Sequence, residues 1–179
     1  LKDTYSQINQ DLKVLDHYNK KRNGYFVEIG ANDGISLSNT YLLEKKYNWK
    51  GICIEPVPSI FKKLKNNRKS INVKNAIYNV DNKIVNIVES NLLSGIRDDI
   101  DKHKHILKNK DVKVMTKTLT TILNENKEPR KIDYLSIDTE GSELKILKGI
   151  NFEKYKFGYI NIEHNFIEPR RKQMKKLLQ

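Results

Sequence analysis

An α/β fold with a mostly parallel sheet and helices on both faces is what the sequence predicts, on three observations. Short β-rich runs alternate with stretches at helical spacing along most of the chain. Glycines and prolines close several of the runs. The 179 residues, 37% of them hydrophobic, are enough for one core in one domain but too few for two. Each crossover between parallel strands is expected to be right-handed.

Residues 1–20 place Ile8, Leu12, Leu15 and Tyr18 at helical spacing, with Gly24 as the stop, which predicts a leading helix. Residues 25–30 read as the first strand, 38–47 as a helix, and 50–55 as the second strand, stopped by Pro56 and Pro58. A helix over 59–67 follows. Strands are then expected over 71–78, 83–89 and 112–116, with a polar loop before the last. A helix at 118–126, a buried strand at 132–138, a helix at 142–149, a strand at 159–163 and a basic helix at 168–179 complete the alternation.

The one cysteine, Cys53, excludes an internal disulfide framework, and no apolar run approaches the roughly 18 residues of a membrane span. The N-terminal residues lack the apolar stretch of a secretory signal, so a cytoplasmic protein with no membrane partner is expected. The formal charge of +12 raises nucleic acid as a partner. Lys (28), Asn (20) and Ile (21), all encoded by AT-rich codons, dominate the composition, so genome bias is the favoured source of that charge.

In a doubly wound sheet the ligand sits beyond the C-terminal strand ends, where strand order reverses. The first strand runs into Glu28-Ile-Gly30-Ala-Asn32-Asp33-Gly34, an acid-x-Gly-x-x-x-Gly pattern read as opening a helix. A dinucleotide fingerprint needs further glycines where Asn32 and Ile35 stand, so a pyrophosphate is not expected. The second strand ends in Glu55, 25 residues after Gly30, a carboxylate placed to accept ribose hydroxyls; the alternative is a cap for the next helix. Glu28, Asp33, Glu55 and Asp138 make the strand ends acidic, which suits a nucleoside cofactor carrying an ammonium and a sulfonium and no phosphate. S-adenosylmethionine meets those demands.

The blocks Phe26-Val-Glu-Ile-Gly-Ala-Asn-Asp-Gly34, Gly51-Ile-Cys-Ile-Glu-Pro56, Asn75-Ala-Ile77, Ile132-Asp-Tyr-Leu-Ser-Ile-Asp-Thr-Glu-Gly-Ser-Glu-Leu-Lys-Ile-Leu-Lys-Gly149 and Ile160-Asn-Ile-Glu-His164 stand in order over about residues 24–165. In these blocks the sequence resembles the FkbM-type methyltransferases, within the class I, Rossmann-like group. The resemblance implies a seven-strand sheet, S-adenosylmethionine as cofactor, and O-methylation of sugars or small natural products. It places Glu28, Gly30 and Gly34 beside the methionine portion, with Asn32 and Asp33 in the same loop. Glu55 would then lie at the ribose, Asn75 and Ala76 near the adenine, and Asp138 near the methyl group. It also divides the chain into a leading helix (1–23) and the methyltransferase domain (24–179). The last antiparallel hairpin of the class is missing after Gln179, so truncation, or an edge covered by another chain or domain, is expected.

Methyl transfer to a hydroxyl needs a positioned nucleophile and a route for its proton. His164 is the candidate base, with a structural loop histidine as the alternative; Asp138 and Glu140 are the other catalytic candidates. Glu140 and Glu143 also suit the N-terminus of the helix that begins near Ser142. No short ligand motif supports a metal; Asp138, Glu163 and His164, with Asn165 beside them, are the residues that could hold a divalent cation. His17, His103 and His105 sit in polar segments and are read as solvated. Residues 90–111 read either as a substrate-binding lid or as a surface loop with a short helix at 100–107. An RNA methyltransferase and a non-catalytic binding module are the rival functions.

Overall fold

The structure is a computed structural model that describes residues 3–100, 102 and 104–179. In chain order the strands are β1 (Tyr25–Ile29), β2 (Lys50–Ile54), β3 (Ile71–Val73), β4 (Ala76–Ile77), β5 (Ile84–Val88), β6 (Gly95–Ile96), β7 (Asp111–Lys117), β8 (Lys131–Ile137) and β9 (Lys156–Ile162). The helices are α1 (Gln10–His17), α2 (Tyr41–Tyr47), α3 (Pro58–Asn67), α4 (Leu119–Glu125), α5 (Glu143–Lys148) and α6 (Arg170–Leu177). They form two compact units. The first takes the described residues as far as Lys74, with Lys131–Ile137 and Lys156–Asn161; the second takes Asn75–Arg130, Asp138–Tyr155 and Ile162–Gln179.

The first unit is built on a five-stranded sheet in the order β3-β2-β1-β8-β9. β1 pairs in parallel with β2 and β8, and Ile29 lies opposite both Ile54 and Ile137, so all three strands end at one level. Strand order reverses beside β1, which makes its carboxyl end the switch point of the sheet. Alternation along β1 sends Phe26 to one face, where it joins Cys53, Tyr134, Trp49, Val14 and Leu15 of α1, Leu42 and Leu43 of α2, and Leu64 of α3. Each fully buried aliphatic side chain there contributes about 1.5–3 kcal/mol. Val27, Ile52, Ile54, Leu135 and Ile137 on the other face are fully buried too, as parallel strands require.

The second unit has a four-stranded sheet in the order β4-β7-β5-β6, with β4 parallel to β7 and β5 antiparallel to both its neighbours. The parallel expectation therefore describes β1, β2, β3 and β8 of the first sheet, while the second is mixed. The strand expected over 71–78 is two strands in different sheets, because β3 pairs with β2 and β4 with β7. No glycine or proline marks that break in the sequence. The leading helix shortens to Gln10–His17, since the buried Asp11 carboxylate accepts the Thr4 and Ser6 hydroxyls and the Tyr5 amide, holding the preceding residues in a turn. The segment after Gly34 is a run of turns as far as Tyr41, so the glycine loop does not open a helix directly.

Candidate functional site

The loop that leaves β1 is wound by three positive φ angles, at Gly30 (83°), Asn32 (48°) and Gly34 (81°). The Gly30 and Ala31 amides both donate to the Ile54 carbonyl at 3.0 Å, which ties the loop to the end of β2. Glu55 follows directly and is 5% exposed. Its Oε2 accepts the Asn32 amide at 3.1 Å and its Oε1 the Val57 amide at 2.9 Å. Burial raises this carboxyl to about 7, against the pull of the two amides. A carboxylate offers about four lone-pair positions, so two remain beyond those two bonds. Asp33 turns to its own loop: it accepts the Ile35 and Ser36 amides and the Ser36 hydroxyl. Burial would raise the Asp33 carboxyl, and these bonds hold it below its ordinary range instead.

Glu28, expected to face the cofactor, has both oxygens taken by protein donors. Oε1 accepts the Asn39 amide at 2.7 Å; Oε2 accepts the Thr40 hydroxyl at 2.6 Å and Arg68 Nη1 at 3.3 Å; Ser38 Oγ reaches both oxygens. Arg68 in turn donates through Nε to Glu44 at 2.8 Å and through Nη1 to the Gly34 carbonyl at 3.2 Å. Glu28 therefore anchors the loop and the approach to α2. Gly34 packs against α3: a Cβ there would lie 2.6 Å from Arg68 Cγ and 2.7 Å from Leu64 Cδ1. Sequence reasoning missed Arg68. A signal existed, because in a chain with 28 lysines each of its six arginines stands out, and Arg suits buried multi-point pairing.

In the second unit, the turn after β8 carries Asp138, Thr139, Glu140 and Gly141. Glu140 sits at φ 59° and Gly141 at φ 135°, where a Cβ would lie 2.0 Å from the Asp99 carbonyl oxygen. Glu143 Oε1 accepts the amides of Thr139 and Gly141 and the Thr139 hydroxyl. The residue that folds back over the start of α5 is thus Glu143. The turn brings one oxygen each of Asp138, Glu140 and Glu163 to within 4.8 Å of one another. Two like charges about 4 Å apart repel by roughly 4 kcal/mol at an effective dielectric near 20. Burial, and then the charges of Asp138, Glu140 and Glu143, push the Glu163 carboxyl up to about 9.

His164 does not join this group. Its Nδ1 accepts the Phe166 amide at 3.0 Å. Among the residues read as a possible cation site, Glu140 rather than His164 stands with Asp138 and Glu163. Asn75 leads into β4 and donates to the Met115 carbonyl, and Ala76 is buried within that strand. The segment 90–111 is tied down by β6 and by a bidentate Arg97–Asp111 pair at 2.6 and 2.7 Å, with 3₁₀ turns at Asn91–Leu93 and Lys104–Lys108. His17 packs on Tyr159, His105 is exposed, and His103 lies outside the described residues. Among the described residues no helix is long and apolar enough to cross a membrane.

A family model described as the methyltransferase FkbM domain matches residues 28–179. No curated protein and no solved structure matches the chain.

Proposed function

The chain belongs to the FkbM methyltransferase family, and on that premise we propose that it moves a methyl group from S-adenosylmethionine to a hydroxyl of a sugar or similar small molecule. The observation that carries the cofactor half of the reading is Glu55. It is a buried carboxylate at the end of β2, fixed by two backbone amides beside the glycine loop at the switch point of the sheet. The donor set fits a nucleoside: two acceptor positions remain for two ribose hydroxyls, and no basic side chain stands in the Gly30–Gly34 loop to receive a phosphate.

When bound, S-adenosylmethionine supplies a methyl carbon activated by the sulfonium. The protein's tasks are then to hold the donor, align the acceptor and take its proton. Gly30 and Asn32 would curve the backbone round the donor, and Glu55 would hold its ribose. Asp138 and His164 are the candidates to take the hydroxyl proton of the acceptor. Glu28 and Arg68 act through the loop they support.

Titration calorimetry tests the cofactor reading. Glu55→Gln should weaken S-adenosylmethionine binding about 10- to 100-fold, matching the 1.5–3 kcal/mol of a hydrogen bond to a charged group. Unchanged affinity would remove the ribose role. Label transfer from methyl-labelled cofactor to a panel of glycans and RNAs tests the acceptor, and label found in RNA alone would overturn the sugar assignment.

A further inference from the structure

A large aromatic side chain left in water by folding is informative when its neighbours hold it there. Phe166, two residues beyond His164, is 75% exposed. It is nonetheless fixed in place. Asn165 and Phe166 stand at φ 47° and 56°, a left-handed pair without glycine, which is a rare conformation for a side chain as bulky as phenylalanine. The Phe166 amide donates to His164 Nδ1 at 3.0 Å, the two rings meet edge to face at 4.7 Å, and the Arg171 guanidinium lies over the Phe166 ring 5.5 Å from its centre. Backbone strain of this kind collects at ligand clamps.

Arg171 also opens a cationic face. Arg171, Lys172, Lys175 and Lys176 share one side of α6 and are all exposed, while Met174 on the opposite side is 4% exposed. Arg171 and Lys175 are four residues apart, as are Lys172 and Lys176, and the helix has no acid to relieve their repulsion. Lys102 Nζ, which donates to Asn165 Oδ1 at 3.2 Å, sets another cation beside the ring. Arg170 Nη1 donates to the Gly141 carbonyl at 3.1 Å, joining the start of α6 to the turn that carries Asp138 and Glu140. The surface therefore passes from acids at the turn to cations on the helix, and Phe166 touches both His164 and Arg171.

We propose that Phe166 and the outward face of α6 bind a sugar that carries an anionic group, a phosphate or a carboxylate. The sugar lays its C–H face on Phe166, and Arg171 with its neighbouring lysines takes the anion, for which a guanidinium offers two parallel N–H donors. The acids of the turn repel the anion, so the charge order points it toward α6 and leaves a hydroxyl toward Asp138 and His164. This inference rests on the reading of those two residues as the acceptor side; within that reaction the anionic sugar is the acceptor. A long polyanion fits less well, because it would cross the acids and would find one ring where successive bases need several.

The test follows the backbone amide shifts of the isotope-labelled full chain, titrated at fixed ionic strength with glucose-6-phosphate, glucuronate, methyl glucoside and inorganic phosphate. An anionic sugar should bind saturably at Phe166 and Arg171, about fivefold or more tighter than methyl glucoside or phosphate alone, and the tighter of the two identifies the anion. Phe166→Ala should reduce its affinity to that of inorganic phosphate, with Phe166→Tyr retaining it. Arg171→Glu combined with Lys175→Glu should weaken it about tenfold or more. Lys62→Glu, on the exposed side of α3, should leave it unchanged. Equal affinity for methyl glucoside, full affinity in Phe166→Ala, an equal loss in Lys62→Glu, or tighter binding of an oligoribonucleotide at the same residues would each overturn the proposal. Methyl-label transfer to the same sugars is read separately. Binding without transfer would keep the site and remove the acceptor reading, whereas transfer to neutral sugars without binding at Phe166 would sink the site and keep the methyltransferase reading.

Discussion

At Glu55 two effects oppose each other, and their balance sets a pH dependence. Two amides favour the ionised carboxyl, yet burial prevails and raises it to about 7. An acid raised on folding favours the protonated folded state, so its contribution, about 3 kcal/mol, is complete below pH 4 or so and is lost as pH rises through 7. Ligand binding follows the opposite sign, because ribose hydroxyls and a cationic cofactor favour the carboxylate. Affinity for S-adenosylmethionine should rise between pH 6 and pH 8, and the rise should vanish in Glu55→Gln; calorimetry at several pH values would show it, and a flat profile in the unaltered protein would contradict it. The place of Glu55 at the end of the second strand was legible in the sequence, and the cap read as its alternative use is present in part, because its Oε1 accepts the amide of Val57 at the start of α3. Glu28 looked equivalent as a strand-end acid. What separates them is Arg68, 40 residues further along the chain, and no local pattern reveals a partner at that distance.

Among the elements, the loop between β1 and α2 is shaped by close packing as well as by turn chemistry. Gly34 combines a φ of 81° with a Cβ position 2.7 Å from Leu64 Cδ1, so Gly34→Ala meets both backbone strain and overpacking. The expected loss is about 1–3 kcal/mol, a fall of roughly 2–10 °C in melting temperature, readable by calorimetry. A variant that melts with the unaltered protein would show that α3 yields to the added methyl. Elements closed by glycine or proline were legible to within a few residues, as at β1, β2 and α3. The division between β3 and β4 was not, because the apolar pattern runs on through it and only partner strands decide it. The two-residue β6 is too short to have a period at all.

For the whole molecule, the parallel order of the first sheet and the family were readable because strand-end residues recur at fixed places in such folds. The second sheet's mixed order was not, since pairing partners far apart in sequence leave no local signature. The net charge of +12 has a consequence of its own: a compact state with that excess repels itself. Between about 0.01 M and 0.15 M sodium chloride the screening length falls from about 30 Å to about 8 Å. The melting temperature should therefore rise by a few degrees over that range, and a scan that shows a fall would mean that attractive surface pairs outweigh the net repulsion.

The Glu28–Arg68–Glu44 arrangement also bears on how this fold can change over generations. Removing Arg68 leaves Glu28 without its cation in the interior, at a cost of about 3–5 kcal/mol, a large part of the 5–15 kcal/mol by which a domain of this kind exceeds unfolding. Losing the arginine is therefore no small step, and any route to a redesigned glycine loop that passes through its loss must cross that gap in one stride or first acquire stability elsewhere.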